Sequence, residues 1–492
     1  MNGLTISIST EHIITVHVYI GSGALMYFTN DYITDTHTVM ISNSLITENI
    51  EDIKTQHFLR YLQNQKSVIN AAGLTVLYTQ TNYLATVSVF KTNFTINDGV
   101  ILFSLHYKTN HGRVVFDQVS FESNIATIES SLILLLMIDV SNVSSPLHLD
   151  RSMFHNNILV QPESAHSSLV FISLYNPLLA SFKNAVTITF SNSVFTKTSV
   201  TRAGSCIHAT DTGTQDKVLN IYLTNITAYD NFKTNNSYGN TETEFIKIVN
   251  AKVLHIRGYN NFSYNFGSIF GITNSLIYLN GQLNIIGNNG YMGTGFKVQG
   301  SSYFLLSNRL NATFINNTAL TIGGAIYAIA DDDFNRCMFQ NNTNNITNIK
   351  MTFINNTASE AGSSIYSNNL YECQTDSYRV NLMNKSNTIF SFFYSKHQNF
   401  SMPPTSLCWC DVDPCCNTND EANEYHLSAF MHPGQNIRLQ LAAVYSYDSI
   451  YAHIKQYSYA AVTFLLIDRD NVHFLPSWQV SANSANQALL EK

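Results

Sequence analysis

Phe314-Ile315-Asn316-Asn317-Thr318-Ala319-Leu320-Thr321-Ile322-Gly323-Gly324-Ala325-Ile326-Tyr327 is the stretch that decides the fold. A second copy begins at Phe353-Ile354-Asn355-Asn356-Thr357-Ala358 and continues with Gly362-Ser363-Ser364-Ile365-Tyr366. In both, Phe is followed three positions on by Asn, nine on by Gly and twelve on by Ile. The same ruler joins Phe90 to Asn93, Gly99 and Leu102, and Phe121 to Asn124, Ser130 and Ile133. It also joins Phe195 to Thr198, Gly204 and Ile207. Phe154 and Asn157 fit, with four extra residues before Ser167-Ser168-Leu169-Val170. Weaker echoes start at Tyr229, Tyr259 and Ile286.

These starts lie 27 to 41 residues apart, a spacing that marks a stacked repeat architecture. Alternating, strand-like residues precede the aromatic, as in Leu310-Asn311-Ala312-Thr313-Phe314. The Asn-rich corner supplies a side chain that tolerates left-handed backbone and bonds nearby peptide groups. Gly or Ser then opens a second turn, where a small residue permits positive φ or close backbone approach. No segment of the unit carries a sustained 3.6-residue stripe, which disfavours helical solenoids. Short strands joined by two corners make one coil of an all-β, parallel β-helix. Its expected core is Phe90, Phe121, Phe154, Phe195, Phe314 and Phe353 with Gly323, Gly324, Ile326 and Ile365. The expected corner asparagines are Asn93, Asn124, Asn157, Asn317 and Asn356, inward and hydrogen-bonded along the axis.

Phe-x-x-Asn paired with Gly-Gly-Ala-Ile resembles the repeat of the chlamydial polymorphic outer-membrane proteins. It is also similar to extracellular β-helix proteins of simple marine animals. The likeness covers roughly residues 85 to 370, with both halves intact only in the copy at Phe314. It implies a right-handed parallel β-helix with a surface or adhesive role, and it carries over no catalytic residue.

Domain organisation follows composition. Residues 1–371 are expected to form the β-helix, with 1–85 as irregular capping coils and a helical candidate at 50–66. Residues 372–420 are rich in Cys and Pro, and 421–492 read as a small antiparallel β module that the chain end truncates. The first nineteen residues show no basic start, apolar run or cleavage site, so a fragment lacking its true N-terminus is expected. No run reaches the length of a membrane span.

Charged residues are 12 % of 492, aromatics are also 12 %, and the net charge is −7. That composition suits a β-rich, uncharged surface and offers no basic footprint for nucleic acid. Twelve Asn-x-Ser/Thr sequons are glycosylation candidates: Asn93, Asn142, Asn225, Asn235, Asn261, Asn311, Asn316, Asn341, Asn345, Asn355, Asn384 and Asn399. Of seven cysteines, Cys337, Cys373, Cys408, Cys410, Cys415 and Cys416 are disulfide candidates. Their Cys-x-Cys and vicinal spacing does not suit zinc. Cys337 is left to pair with the later cluster or with Cys373. Cys206, aligned with the small Ala325, is the expected buried free thiol.

Chemistry is sparse. Asp331-Asp332-Asp333 and the pair Asp411 and Asp413 read as solvated loop charge. Asn110-His111-Gly112-Arg113 lacks the partner acids that sugar cleavage requires. Tyr291, Tyr303 and Tyr371 are the tyrosines placed in loops, where a ring can stack on a saccharide. The expectation is therefore a non-enzymatic, extracellular or cell-surface protein without cofactor. It would bind a surface protein or glycan through its lateral face and corner loops. A polysaccharide lyase or hydrolase on the same scaffold is the alternative.

Overall fold

The structure is a computed structural model. It describes residues 85–95, 101–107, 112–126, 131–138, 145–159, 167–175, 185–200, 204–212, 217–232, 243–331, 337–341 and 349–370. Also described are 5–9, 16–17, 26–30, 37–42, 45–47, 72–78, 373, 400–401, 406–409, 438–439, 441–445, 450–453, 479–483 and 487–491. The helical candidate at 50–66 and the loop tyrosine Tyr371 lie outside them.

The chain divides into two compact units, Met1–Ser401 and Met402–Lys492. The sequence suggested breaks after 371 and 420 instead. The strand Phe400–Ser401 pairs in parallel with Ile365–Ser367 and so belongs to the first unit. Ser406–Trp409, from the Cys-rich segment, pairs antiparallel with Leu441–Tyr445 in the second. That second unit holds two three-stranded sheets, both antiparallel.

The first unit is a parallel β-helix. Most coils give one strand to each of three long sheets, of 11, 10 and 13 strands, called here faces 1, 2 and 3. One coil shows the pattern: Gly112–Asp117 on face 1, Ser120–Glu122 on face 2 and Ser131–Ile138 on face 3. Each strand pairs in parallel with its counterpart a coil away, at the usual spacing of about 4.8 Å. At the N-terminal end the pattern changes. Thr5–Ser9 pairs antiparallel with His37–Ser42, and Val16–His17 antiparallel with Met26–Asn30. Antiparallel edges cover strands that would otherwise template pairing with another chain.

The corners explain the Asn-Asn pair. Ser123, Asn156, Lys197, Asp230, Tyr264, Asn316 and Asn355 all stand at the turn after face 2, with φ between 51° and 58°. One left-handed residue there turns the chain and sends the next side chain inward, and Asn tolerates that backbone best after Gly. Asn316 therefore makes the turn while Asn317 enters the core, where it is 0 % exposed.

Inside, these second asparagines form a ladder. Asn288 Nδ2 donates to Phe262 O and to Asn317 Oδ1, both at 3.1 Å, and Asn317 Nδ2 donates to Asn356 Oδ1 at 2.9 Å. Asn231, Asn265 and Asn288 continue it, as do Asn124 and Asn157 in the earlier coils. Each amide satisfies peptide groups that the corner would otherwise bury unpaired. Thr198 breaks the run, since its side chain has no amide to pass the ladder on. Beside it lies Cys206, buried and free, its thiol pushed up by burial.

Beside the ladder runs a column of rings. Centroids are 5.2 Å apart for Phe94–Phe121, 4.7 Å for Phe121–Phe154 and 4.6 Å for Phe154–Phe195, with planes within 12°. The next residue in register is Ala228, which leaves a gap. Phe245, reaching across from face 3, fills it edge-on between Phe195 and Phe262. Stacking resumes with Phe314 and Phe353 at 4.9 Å, where Phe353 is half-buried. Full burial of one such ring contributes roughly 2–3 kcal/mol.

Two expected core positions are corrected. Phe90 ends a face-1 strand and pairs with Asp117, while Phe94 is the residue in register with Phe121. Phe90 is half-buried, with the Lys91 ammonium 4.9 Å above its ring. Asn93 accordingly points outward and is exposed. Phe94-Thr95-Ile96-Asn97 keeps only the first interval of the ruler, yet strand parity selects it over the fuller match at Phe90. Lys91 takes the left-handed turn before face 2, which puts Phe94 rather than Phe90 inside.

The Gly-Gly pair sits at the turn into face 3. Gly323 has φ 64°, and a Cβ on Gly324 would fall 2.0 Å from Ser363 O of the next coil. Ile326 and Ile365 follow as register partners, both 0 % exposed. A disulfide joins Cys337 to Cys373, 36 residues apart in sequence. Closing a loop of that length stabilises by about 3–4 kcal/mol in the chain-entropy account.

Candidate binding faces

Each outward face is a grid, because parallel register stacks equivalent side chains coil on coil. On face 3 the row His208, Lys247, Gly271, Lys297, Tyr327 and Tyr366 runs along the axis. Glu244 lies across this row. Its carboxylate reaches Lys297 Nζ at 3.3 Å on one side and Lys247 Nζ at 3.5 Å on the other. Gly271 makes the space, since a Cβ there would stand 2.4 Å from Glu244 Cδ. Lys297 is more than nine-tenths buried, so its charge is held in fixed geometry against Glu244 rather than solvated. Tyr327 and Tyr366 extend the row as parallel rings 5.9 Å apart.

Face 1 carries a different row: His148, Thr189, Tyr222, His255 and Tyr278. Tyr222 and His255 stack at 4.2 Å, and the Arg257 guanidinium lies 4.4 Å from the Tyr222 centroid. Partial burial, and then Arg257, lower the His255 pKa from 6.5 to about 4. The unfolded chain therefore takes up a proton as pH falls through 6.5, while the folded chain resists it until about 4. Stability should decline as pH falls across that window, and His255→Gln should flatten the decline. Urea midpoints at several pH values, for wild type and variant, measure it. Parallel curves would show that His255 is not the group responsible.

At the edge of face 1 the turn side chains bond along the axis. Arg151 pairs with Asp117 at 2.6 Å and with Asp150 at 3.2 Å. Asn192 Nδ2 donates to Asp150 at 2.8 Å, and Asn225 Nδ2 donates to Asn192 at 2.9 Å. These are exposed contacts, individually worth little. They hold successive turns in register.

Face 2 is the least charged. The strand Tyr259–Ser263 and its neighbours Thr227–Tyr229 and Gln282–Ile286 hold no Asp, Glu, Lys or Arg. Three tyrosines stand out here: Tyr229, Tyr259 and Tyr264, 38 %, 51 % and 59 % exposed. Sequence reading pointed to others. Tyr291 and Tyr303 are half-buried, with Tyr303 in a face-1 strand. Strand parity was the available signal for Tyr259, since Asn260 and Phe262 point inward and leave it outside.

Among the sequons whose side chains are described, Asn93, Asn225, Asn311, Asn316 and Asn355 are exposed and Asn261 is half-buried. The side chains of Asn142, Asn235, Asn341, Asn345, Asn384 and Asn399 lie outside the described residues, as does the pairing of Cys408, Cys410, Cys415 and Cys416. Asp331 is exposed, and Arg113 is exposed at the start of a face-1 strand. Asp332, Asp333, Asn110, His111, Asp411 and Asp413 fall outside. Among the described residues, no three His, Cys, Asp or Glu side chains gather to hold a metal. No described helix is long and apolar enough to cross a membrane. A comparison with protein-family models, with curated proteins and with solved structures found no match in any of the three.

Proposed function

We propose that this chain is a non-enzymatic extracellular or cell-surface β-helix protein that binds a surface protein or glycan through its lateral faces. The observation that carries the reading is the unbroken stacking of 10 to 13 strands per face. Such stacking offers long, rigid rows of side chains at fixed spacing, with little ordering cost on binding. The outward placement of the described sequons supports a secreted route, because a glycan needs an acceptor facing solvent. A finer likeness, to adhesive outer-membrane β-helix proteins, rests on the Phe-x-x-Asn and Gly-Gly-Ala-Ile repeat.

One observation favours a second reading, a polysaccharide lyase or hydrolase. Glu244, Lys247 and Lys297 place acid and base groups together on face 3. One experiment separates the two. The secreted, glycosylated chain is applied to glycan and surface-protein arrays, and in parallel is incubated with polyuronates in the presence of Ca²⁺. Saturable binding without turnover is expected. Turnover that disappears in Glu244→Gln would overturn the non-enzymatic reading, and an absence of binding on every array would leave it without a ligand.

A further inference from the structure

We propose that Asn261 carries an N-linked glycan whose first sugar lies against Tyr259, so that this exposed ring of face 2 is covered by the chain's own saccharide. The inference rests on the secreted reading above.

The argument starts from strand parity. Tyr259, Asn261 and Ser263 alternate outward along one strand, while Asn260 and Phe262 are 0 % exposed. The sequon Asn261-Phe262-Ser263 therefore presents its acceptor and its hydroxyl on one face, with an aromatic ring two residues before the acceptor. Side chains two apart on a strand sit about 7 Å from each other. That is the reach of a sugar attached to the amide and lying back along the strand. Tyr229 approaches from the preceding coil, since Thr227 is in register with Asn261 and Tyr229 with Ser263. In the following coil Asn284 is in register with Asn261 and donates from Nδ2 to the Tyr259 hydroxyl at 3.3 Å. That bond steadies the ring the sugar would meet.

Chemistry selects the occupant. A tyrosine ring is an apolar plate with a polar tip, and Tyr259, 51 % exposed, invites cover. The surrounding residues are uncharged amides and hydroxyls: Thr227, Asn261, Ser263 and Asn284. A neutral sugar has an apolar C–H face for the ring and hydroxyls for the amides. Among the described residues, the Asn261 side chain has no hydrogen-bond partner. Asn225 differs. Its Nδ2 is given to Asn192 and its Oδ1 accepts from Tyr259 N at 2.8 Å. Of the described sequons, only Asn261 has an aromatic two residues before it that faces outward. The equivalents at Asn225, Asn316 and Asn355 are Leu223, Phe314 and Phe353, which point into the core column or pack beside it.

The modification is a group transfer. Asn261 Nδ2 attacks the anomeric carbon of a polyprenyl-diphosphate-linked oligosaccharide. The Nδ2–C1 bond forms as the C1–O bond to diphosphate breaks, one amide proton passes to the transferase, and polyprenyl diphosphate leaves. One N–H remains on Nδ2.

The test expresses the full chain behind a secretory leader in eukaryotic cells and maps occupancy by glycopeptide mass spectrometry. Tyrosine iodination then follows three forms: intact, trimmed by an endoglycosidase to a single N-acetylglucosamine, and stripped by an amidase. Asn261 is expected to be occupied. Tyr259 should iodinate slowly in the first two forms and several-fold faster in the third, because the first sugar alone covers the ring. Asn261→Gln should match the stripped form. An unmodified Asn261 beside occupied Asn93 or Asn311 overturns the proposal, as does a Tyr259 rate equal in all three forms. If no sequon is occupied, the secreted reading fails and takes the proposal with it, which is a distinct result. A bare Asn261 whose tyrosines bind a soluble oligosaccharide would also overturn it, making face 2 a ligand platform.

Discussion

Asn288→Ala is expected to lower stability by about 2–6 kcal/mol, at roughly 1–3 kcal/mol for each of the two Asn265 hydrogens left unpaired. The native Asn288 side chain takes part in four hydrogen bonds. It accepts from Asn265 N at 2.9 Å and Asn265 Nδ2 at 3.1 Å, and donates to Phe262 O and Asn317 Oδ1. Alanine removes all four in a core position that is 0 % exposed. A solenoid couples mainly nearest coils, so the damage should be local. Native-state hydrogen exchange is therefore the right measurement. Protection of the Asn265 amide, whose acceptor is the Asn288 side chain, should collapse while coils around Phe121 keep theirs. Thr198→Ala is the internal control, since that rung already lacks the amide. It should cost less than about 1 kcal/mol. Equal costs for the two variants would mean that the ladder does not hold the corners.

Phe154→Ala is expected to cost about 3–5 kcal/mol, the usual penalty for emptying a large aromatic site. Phe154 is 0 % exposed and lies between Phe121 at 4.7 Å and Phe195 at 4.6 Å. Neighbouring rings stand on rungs fixed by strand pairing and cannot close the gap. Phe90→Ala should cost no more than about 1 kcal/mol, because Phe90 lies outside the column and is half-buried. Chemical denaturation of both variants measures the contrast. The pair also discriminates between the two ways of laying the repeat on residues 90 to 97. A Phe90 variant as damaged as Phe154→Ala would return Phe90 to the core.

Several features were legible without coordinates because they depend on local chemistry repeated in order. Asn317 and Asn356 are joined in the ladder, as the motif spacing suggested, since Phe-x-x-Asn with one left-handed residue fixes which Asn turns inward. The Gly323-Gly324 turn was legible for the same reason. Neighbouring coils approach too closely there for any side chain at Gly324. Cys206 could be read as a buried thiol because its position aligned with Ala325, and the structure leaves it buried and free. The resemblance to outer-membrane repeats told the same story of a parallel β-helix.

Other features were settled only by tertiary structure. Asn231 and Asn288 sit in the ladder although Ala228 and Ile285 hold the ring position of their coils, which blurred the motif; Phe262 and Asn265 keep it, and a start laid on Tyr259 missed them. Phe245 fills the gap at Ala228 from the opposite face, a compensation between residues that share no repeat position. The Glu244, Lys247 and Lys297 cluster, and the bond from Asn284 to the Tyr259 hydroxyl, depend on register between coils of unequal length. The sequence by itself determined the coil, because each corner is a local conformational requirement. Only the stacked structure decided which surface residues meet, because loop insertions separate in sequence what parallel pairing brings within one strand spacing.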